Sequence, residues 1–249
     1  MRWNKGLFRT ANMRQSSVKS ESGAISKLKS SGGDTMTTIL LVRHGESEAN
    51  RRDLFAGFYN VKLEEQGIRQ AELTARYLRE NYNVYRIYAS DLERAHHTGR
   101  ILAAPFGLDV IPEPGLREMD GGEWEGAVFS SLAQRYPEDF GLWQTDIARA
   151  RCTGGETVRQ MTERVMAALE KIALENEGKI VAAASHATPI RAAMTMTIHG
   201  KLDCMNQVPW VSNASVTTLT YENGSWQCVR AGEDAHLQGI KTAFVNSSV

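Results

Sequence analysis

Cysteine is scarce in this chain and poorly placed for pairing. Cys152, Cys204 and Cys228 are the only three in 249 residues. Their number is odd, they lie far apart and no CxxC pair occurs, so neither a disulfide framework nor a structural zinc site is expected. A reducing, cytoplasmic compartment fits that usage. No apolar run is long enough to span a bilayer. Charge of one sign is not in excess either. Lys and Arg total 29, Asp and Glu total 29, and the formal net charge is zero. Nothing global therefore points to a nucleic-acid or membrane surface as partner. No internal repeat is present, and no group of carboxylates resembles a magnesium site. No metal and no other cofactor is expected.

What remains is an ordinary globular composition, 42% hydrophobic and 23% charged. The length suits one sizeable α/β domain. The first 36 residues stand apart. They are rich in Ser, Gly, Lys and Arg, nearly free of acids, and show no steady apolar period. They lack the apolar centre of a secretory signal and read as a disordered leader rather than an organelle transit segment. Met36, directly before the first strand, could serve as an alternative start. Residues 37–249 are then a single domain.

Within that domain, Thr38 to Val42 is a β-branched and aliphatic run that predicts a buried strand. Ile68, Ala71, Ala75 and Leu78, spaced by three and four, predict an amphipathic helix over 65–80. Val84 to Ala89 reads as a second strand. Ser90 to Ala104 reads as a helix opened by a capping box, Ser90 with Glu93 three residues on. A short strand is expected over 108–111. Residues 112–155 look irregular, with a helical piece near 129–136, and are where a substrate loop or lid would sit. A helix over 156–175 and a buried strand over 179–185 follow. Pro189 suits the first turn of the next helix. Asn223-Gly224 predicts a closing hairpin between 216–221 and 226–229. Strands alternating with helices imply a three-layer α/β/α sandwich with a mostly parallel sheet and an antiparallel hairpin at one edge.

Ligands of open α/β sheets sit beyond the carboxyl ends of the strands. The first predicted strand delivers Arg43 and His44 there, the second leads to Arg94, and the third delivers His186. Two arginines and two histidines suit a phosphoryl group. Guanidinium forks match phosphate oxygens and stay charged, the helix start beside Arg94 favours an anion, and a neutral imidazole can attack phosphorus. The arginines, with a protonated His186, would supply the positive charge that metal ions often supply in phosphoryl transfer. Glu118 is the candidate proton donor to the leaving alkoxide and base toward water afterwards. Glu113, Asp120, Glu123 and Glu125 share its loop.

These residues fall into a series. Leu41-Val42-Arg43-His44-Gly45-Glu46-Ser47 with Asn50 comes first, then Ser90-Asp91-Leu92-Glu93-Arg94-Ala95. Leu116-Arg117-Glu118 with Gly122-Glu123-Trp124-Glu125-Gly126, Gly154-Gly155-Glu156 and Ser185-His186 complete it. The series resembles the histidine phosphatase superfamily, which includes the cofactor-dependent phosphoglycerate mutases. The resemblance covers roughly residues 38–230. It implies a phosphoglycerate mutase-like fold and a phosphohistidine intermediate on His44. It implies a phosphate pocket of Arg43, Arg94 and His186, with Glu118 as proton donor. Ser47, Asn50 and Ala187 would contact phosphate or substrate. The chain departs from the usual pattern at Glu64, His97 and Gly99, outside the catalytic set.

The compact stretch from Glu118 to His186 and the GxWEG segment favour a phosphatase over a mutase, and the intact nucleophile and arginines disfavour a non-catalytic binding module. A small phosphate ester is the expected substrate, and a homodimer is possible. His96 and His97 are adjacent, point apart on a helix and are not a metal pair. His199 and His236 read as structural. Trp124 and Trp143 are candidates either for a substrate pocket or for core packing.

Overall fold

The computed structural model describes residues 35–242. The expected leader lies outside them up to residue 34, as do the last seven residues. Six strands form one sheet in the order β3-β2-β4-β1-β5-β6. They are β1 (Thr37–Arg43), β2 (Val84–Ala89), β3 (Val110–Pro112), β4 (Ile180–Ser185), β5 (Val216–Glu222) and β6 (Ser225–Glu233). The first four are mutually parallel where they pair, and the β5–β6 hairpin joins antiparallel on β1. The hairpin turns at Asn223-Gly224 as expected. Pro112 sits in β3, at the sheet edge, where a missing N–H costs no ladder bond.

Helices cover both faces. They are α1 (Glu48–Arg51), α2 (Glu65–Asn81), α3 (Glu93–Ala103), α4 (Leu132–Arg135), α5 (Pro137–Thr145), α6 (Val158–Glu175) and α7 (Ala187–His199). Alternation along the buried strands builds the layers. In β1, Leu40 and Val42 join Ala75 and Leu78 of α2 and Leu102 of α3 on one face. Ile39 and Leu41 join Met161 and Val165 of α6 and Ile190 of α7 on the other. Val181 and Ala183 of β4 divide from Ala182 and Ala184 in the same way. The small alanines of β4 let the helices approach the middle of the sheet closely.

Two predicted details change. The segment 112–155 is more helical than its sequence suggests, with α4, α5 and four short 3-10 turns. Its Trp124, Phe140, Trp143 and Ile147 are buried in the larger core, so side-chain packing rather than local periodicity gives it shape. The capping box at Ser90 does not form. Helix α3 starts at Glu93 with Leu92 as its cap residue, and it is Asn60 Oδ1, from a distant loop, that accepts from the Glu93 N–H at 2.8 Å. Ser90 is engaged elsewhere, as described below. Gly99, one of the departures, has a packing reason. A Cβ there would lie 2.8 Å from Ala89 Cβ and 3.2 Å from Val110 Cγ1, so its absence seats α3 tightly on β2 and β3.

Candidate active site

Register brings the two histidines together. Strands β1 and β4 are parallel neighbours with Arg43 opposite Ser185, so His44 and His186, one residue on, leave the sheet side by side. The His44 N–H donates to the Ser185 carbonyl at 2.9 Å, and the ring centroids are 5.1 Å apart in an edge-to-face arrangement. Gly45 then turns against helix α2. A Cβ on Gly45 would fall 2.2 Å from the Gly67 carbonyl oxygen. The glycine of the Arg-His-Gly run is therefore a steric requirement for the turn that presents His44.

Hydrogen bonding sets the His44 tautomer. Its Nδ1 lies 2.7 Å from the Gly45 carbonyl oxygen. A carbonyl only accepts, so Nδ1 carries the hydrogen and the neutral ring keeps its lone pair on Nε2. Burial, then the Arg94 and Arg43 charges, hold His44 well below the ordinary histidine range. The free imidazole is thus the form present at neutral pH.

His186 differs from expectation. It is fully buried, and burial followed by the Arg94 charge holds it well below the usual range too. Desolvation and three nearby cations act in the same direction, so the protein's own charges favour the neutral ring, while the expected protonated form belongs to the site with a phosphoryl group bound. His186 Nε2 lies 2.8 Å from Ser90 Oγ. That contact is what occupies the hydroxyl predicted to cap α3. His186 Nδ1 is buried with no hydrogen-bond partner among the described residues.

Both arginines are buried, Arg43 to 5% and Arg94 to 1% exposure. Burial lowers each to about 10, so both stay charged at neutral pH. Arg43 Nη1 donates to the Val211 carbonyl at 2.6 Å. Arg94, in the first turn of α3, donates from Nη2 to the Gly57 carbonyl at 2.8 Å and from Nη1 to that of Tyr59 at 3.2 Å. No carboxylate among the described residues forms an ion pair with Arg94. The N-terminus of the thirteen-residue α7 adds its positive end, since Ala187 and Thr188 line the same cavity. The cavity holds about 190 Å³ and is lined by Arg43, His44, Arg94 and Glu118 among others.

Glu118 is the one acid of its loop that lines this cavity. Glu113 pairs with Lys171, Asp120 accepts from the Gly122 N–H, and Glu125 accepts from the N–H groups of Phe58 and Gly121. Glu118 Oε1 accepts from the Met119 N–H at 2.9 Å. Arg164 of α6 braces its backbone. The guanidinium meets Glu156 through Nε and Nη2 at 3.0 and 2.8 Å, and donates to the carbonyls of Gly115, Arg117 and Glu118. Glu156 Oε2 in turn accepts from the Asp120 N–H. Arg164→Ala removes this whole set from a half-buried site and is expected to cost about 2–3 kcal/mol of stability. Lysine at this position keeps the charge but not the fork, so Arg164→Lys should recover only part. Urea unfolding midpoints measure both, and an alanine variant as stable as the parent would show that Arg164 is not what holds the loop.

Ser47 and Asn50 line the cavity but are also bound to one another. Ser47 caps α1 in a capping box with Asn50. Asn50 Oδ1 accepts from Asn213 Nδ2 at 3.2 Å, and the same amide donates to the His44 carbonyl at 3.0 Å. Asn213 went unnoticed in the sequence, as did Trp210. Both belong to the connection before β5, which has no apolar period to mark it. Its carbonyl at Val211 holds Arg43, and Trp210 stacks on buried Arg191 at 4.3 Å. Trp124 is wholly buried in the core, whereas Trp143 is buried and also lines the cavity. His199 is exposed, and His236 bonds Thr74 Oγ1 and stacks on Tyr77. His96 and His97 take no part in a metal-ligand group among the described residues.

Residues 39–234 match the sequence profile of the histidine phosphatase superfamily (branch 1). The chain belongs to that superfamily. Phosphoserine phosphatase 1 of Hydrogenobacter thermophilus is 35% identical over 158 residues, 63% of this chain and 74% of that protein. A metal-independent phosphoserine phosphatase of Arabidopsis thaliana is 30% identical over 82% of this chain and 85% of its own length. Among solved structures, a mycobacterial glucosyl-3-phosphoglycerate phosphatase superposes with a TM-score of 0.71 at 25% identity, over 79% of this chain and 99% of that one. The six-stranded, mostly parallel sheet between helical layers is the fold of this superfamily. The phosphatase expected from the motifs stands with the membership, and the chain is a hydrolase of phosphoric monoesters.

Proposed function

We propose that this histidine phosphatase hydrolyses a small phosphomonoester in two steps through a phosphohistidine on His44, without a metal ion. The observation that carries the reading is the state of His44. It is a buried neutral imidazole whose Nδ1 hydrogen is committed to Gly45, leaving Nε2 to attack. Arg43 and Arg94 offer guanidinium donors to the non-bridging oxygens, where charge must be held as the phosphoryl group moves. His186 contributes an N–H donor. Its Nδ1 has no partner and its ring lies against His44; we propose that this nitrogen meets an oxygen of the transferred group, although the fully buried ring does not line the cavity.

In the first step the His44 Nε2–P bond forms and the P–O bond to the alcohol breaks, while Glu118 gives its proton to the departing oxygen. In the second, Glu118 takes a proton from water as that water attacks phosphorus, the N–P bond breaks, and phosphate leaves with His44 neutral again. Ser47, Asn50 and Ala187 complete the lining. No cofactor enters either step. The metal-free reading is supported by the two buried arginines, which supply the positive charge at the site.

Phosphate release from 3-phosphoglycerate and from other phosphomonoesters, with 2-phosphoglycerate assayed in the same samples, tests the activity. Free phosphate without isomer is expected. Isomer without free phosphate would make the protein a mutase. EDTA should leave the rate unchanged, and a loss restored by a divalent ion would overturn the metal-free route.

No helix among the described residues is long and apolar enough to cross a membrane, and the three cysteines are unpaired. The unpaired cysteines support our reading of a reducing compartment, the cytoplasm. Light scattering that returned a monomer mass would remove the homodimer expectation.

A further inference from the structure

The cavity lining has two unlike parts. One is Arg43, Arg94 and His44. The other is apolar and aromatic, built from Leu54, Phe55, Phe129, Trp143 and Trp210. Phe55, Phe129 and Trp143 are packed ring against ring, with Phe55–Trp143 centroids at 5.5 Å and Phe55–Phe129 at 6.3 Å. Trp143 and Trp210 lie 6.3 Å apart at an interplanar angle of 29°. Trp210 is backed by Arg191, so this ring is fixed from behind. Phe129 and Trp210 are only half-buried and keep surface for a ligand.

The charges are as lopsided as the walls. Apart from the phosphate-binding end, the described residues bring no Lys or Arg to the cavity lining. The two other charged side chains there are both acids, Glu118 and Asp53, the latter exposed at the rim. Lys241, next to rim residue Thr242, is tied to Asp234 at 2.6 Å. Residues 243–249 carry no charged side chain. A substrate with a second phosphate or a carboxylate would place that anion against aromatic rings and the Asp53 carboxylate, with no further Lys or Arg of the lining among the described residues to meet it. Like charges set together in a desolvated site cost affinity and act as a filter.

From this asymmetry we infer that the enzyme selects phosphomonoesters whose alcohol carries no negative charge and has an apolar body that packs on the Phe129–Trp143–Trp210 wall. The inference rests on the phosphatase reading of the same site and adds the substrate class. Aromatic faces accept hydrocarbon and, with the Asp53 carboxylate in the lining, also an alkylammonium group. They offer nothing to a carboxylate.

The test compares kcat/KM of the full-length protein on alkyl esters, so that leaving-group chemistry stays similar. Phenethyl phosphate is neutral and apolar beyond the phosphate, phosphocholine is cationic, and glycerol phosphate is neutral and polar. O-Phosphoserine and 3-phosphoglycerate carry a carboxylate. Phenethyl phosphate or phosphocholine is expected to exceed both carboxylate esters by about tenfold or more. Phe129→Ala should lower kcat/KM for the favoured ester by about tenfold while changing glycerol phosphate by less than about threefold. Equal or better use of phosphoserine or 3-phosphoglycerate would overturn the inference and leave the phosphatase reading intact. An equal loss on all esters from Phe129→Ala would also overturn it. Failure of every ester to release phosphate would instead count against the phosphatase reading itself.

Discussion

Replacing His44 by alanine is expected to abolish phosphate release, lowering kcat by about 10⁴-fold or more, as when a covalent nucleophile is removed. The size follows from the arrangement around the ring. Among the described residues lining the cavity no other imidazole can take its place, because His186 is fully buried outside the lining with Nε2 on Ser90, and the remaining bases are carboxylates. The fold should survive. His44 contributes one side-chain hydrogen bond, to its own neighbour Gly45, and the backbone contacts of residue 44 with Ser185 and Asn213 do not use the ring. Two measurements separate chemistry from folding. Rapid-quench experiments on the parent should show a burst of released alcohol and a phosphorylated protein, and the alanine variant should show neither while keeping the parent's circular dichroism. A folded variant that retained a tenth of the parent rate would remove His44 from its role. It would leave direct attack by water, held by the arginines and Glu118, as the route.

Much of this was legible in the sequence, for physical reasons. Buried parallel strands are apolar on both faces and end abruptly, so the runs before His44 and His186 announced both the strands and the positions of these two histidines at their tips. Parallel pairing then made the two histidines neighbours. Arg94 was legible because a helix start follows β2. What the sequence concealed were contacts that depend on distant segments. Ser90 fitted a cap pattern, yet His186 lies 96 positions away and takes the hydroxyl. His186 was expected protonated because phosphate pockets favour cations. Its neutrality comes from burial and from arginines on other elements. Asn213, Trp210 and Arg164 act through a connection, a cation–π stack and three carbonyls, none of which leaves a periodic trace. The segment 112–155 looked irregular because its helices are short, and α4 and α5 bury only Leu132, Phe140 and Trp143, too few to mark an amphipathic period.

Glu118→Gln is expected to divide substrates by their leaving groups. Glutamine keeps the size of the side chain and can keep accepting from the Met119 N–H, so the loop and the phosphate end should be undisturbed. What is lost is a proton that can be given to the departing oxygen. For alkyl esters, whose alkoxides leave poorly unless protonated, kcat should fall by about 10²–10⁴-fold, the range typical of general acid catalysis. Aryl phosphates need little help, because a phenoxide leaves as the anion, and their phosphorylation of His44 should slow by far less. The second step still needs Glu118 to take a proton from water. Phosphohistidine should therefore build up on the variant during aryl phosphate turnover, and an added small nucleophile should relieve it. The observable is the slope of log kcat/KM against leaving-group acidity, which should be shallow for the parent and steep for the variant. An equal loss on alkyl and aryl esters would refute the acid role. Of the loop's other carboxylates, Glu113, Asp120 and Glu125 are engaged with Lys171 or with backbone N–H groups, and neither they nor Glu123 line the cavity to replace it.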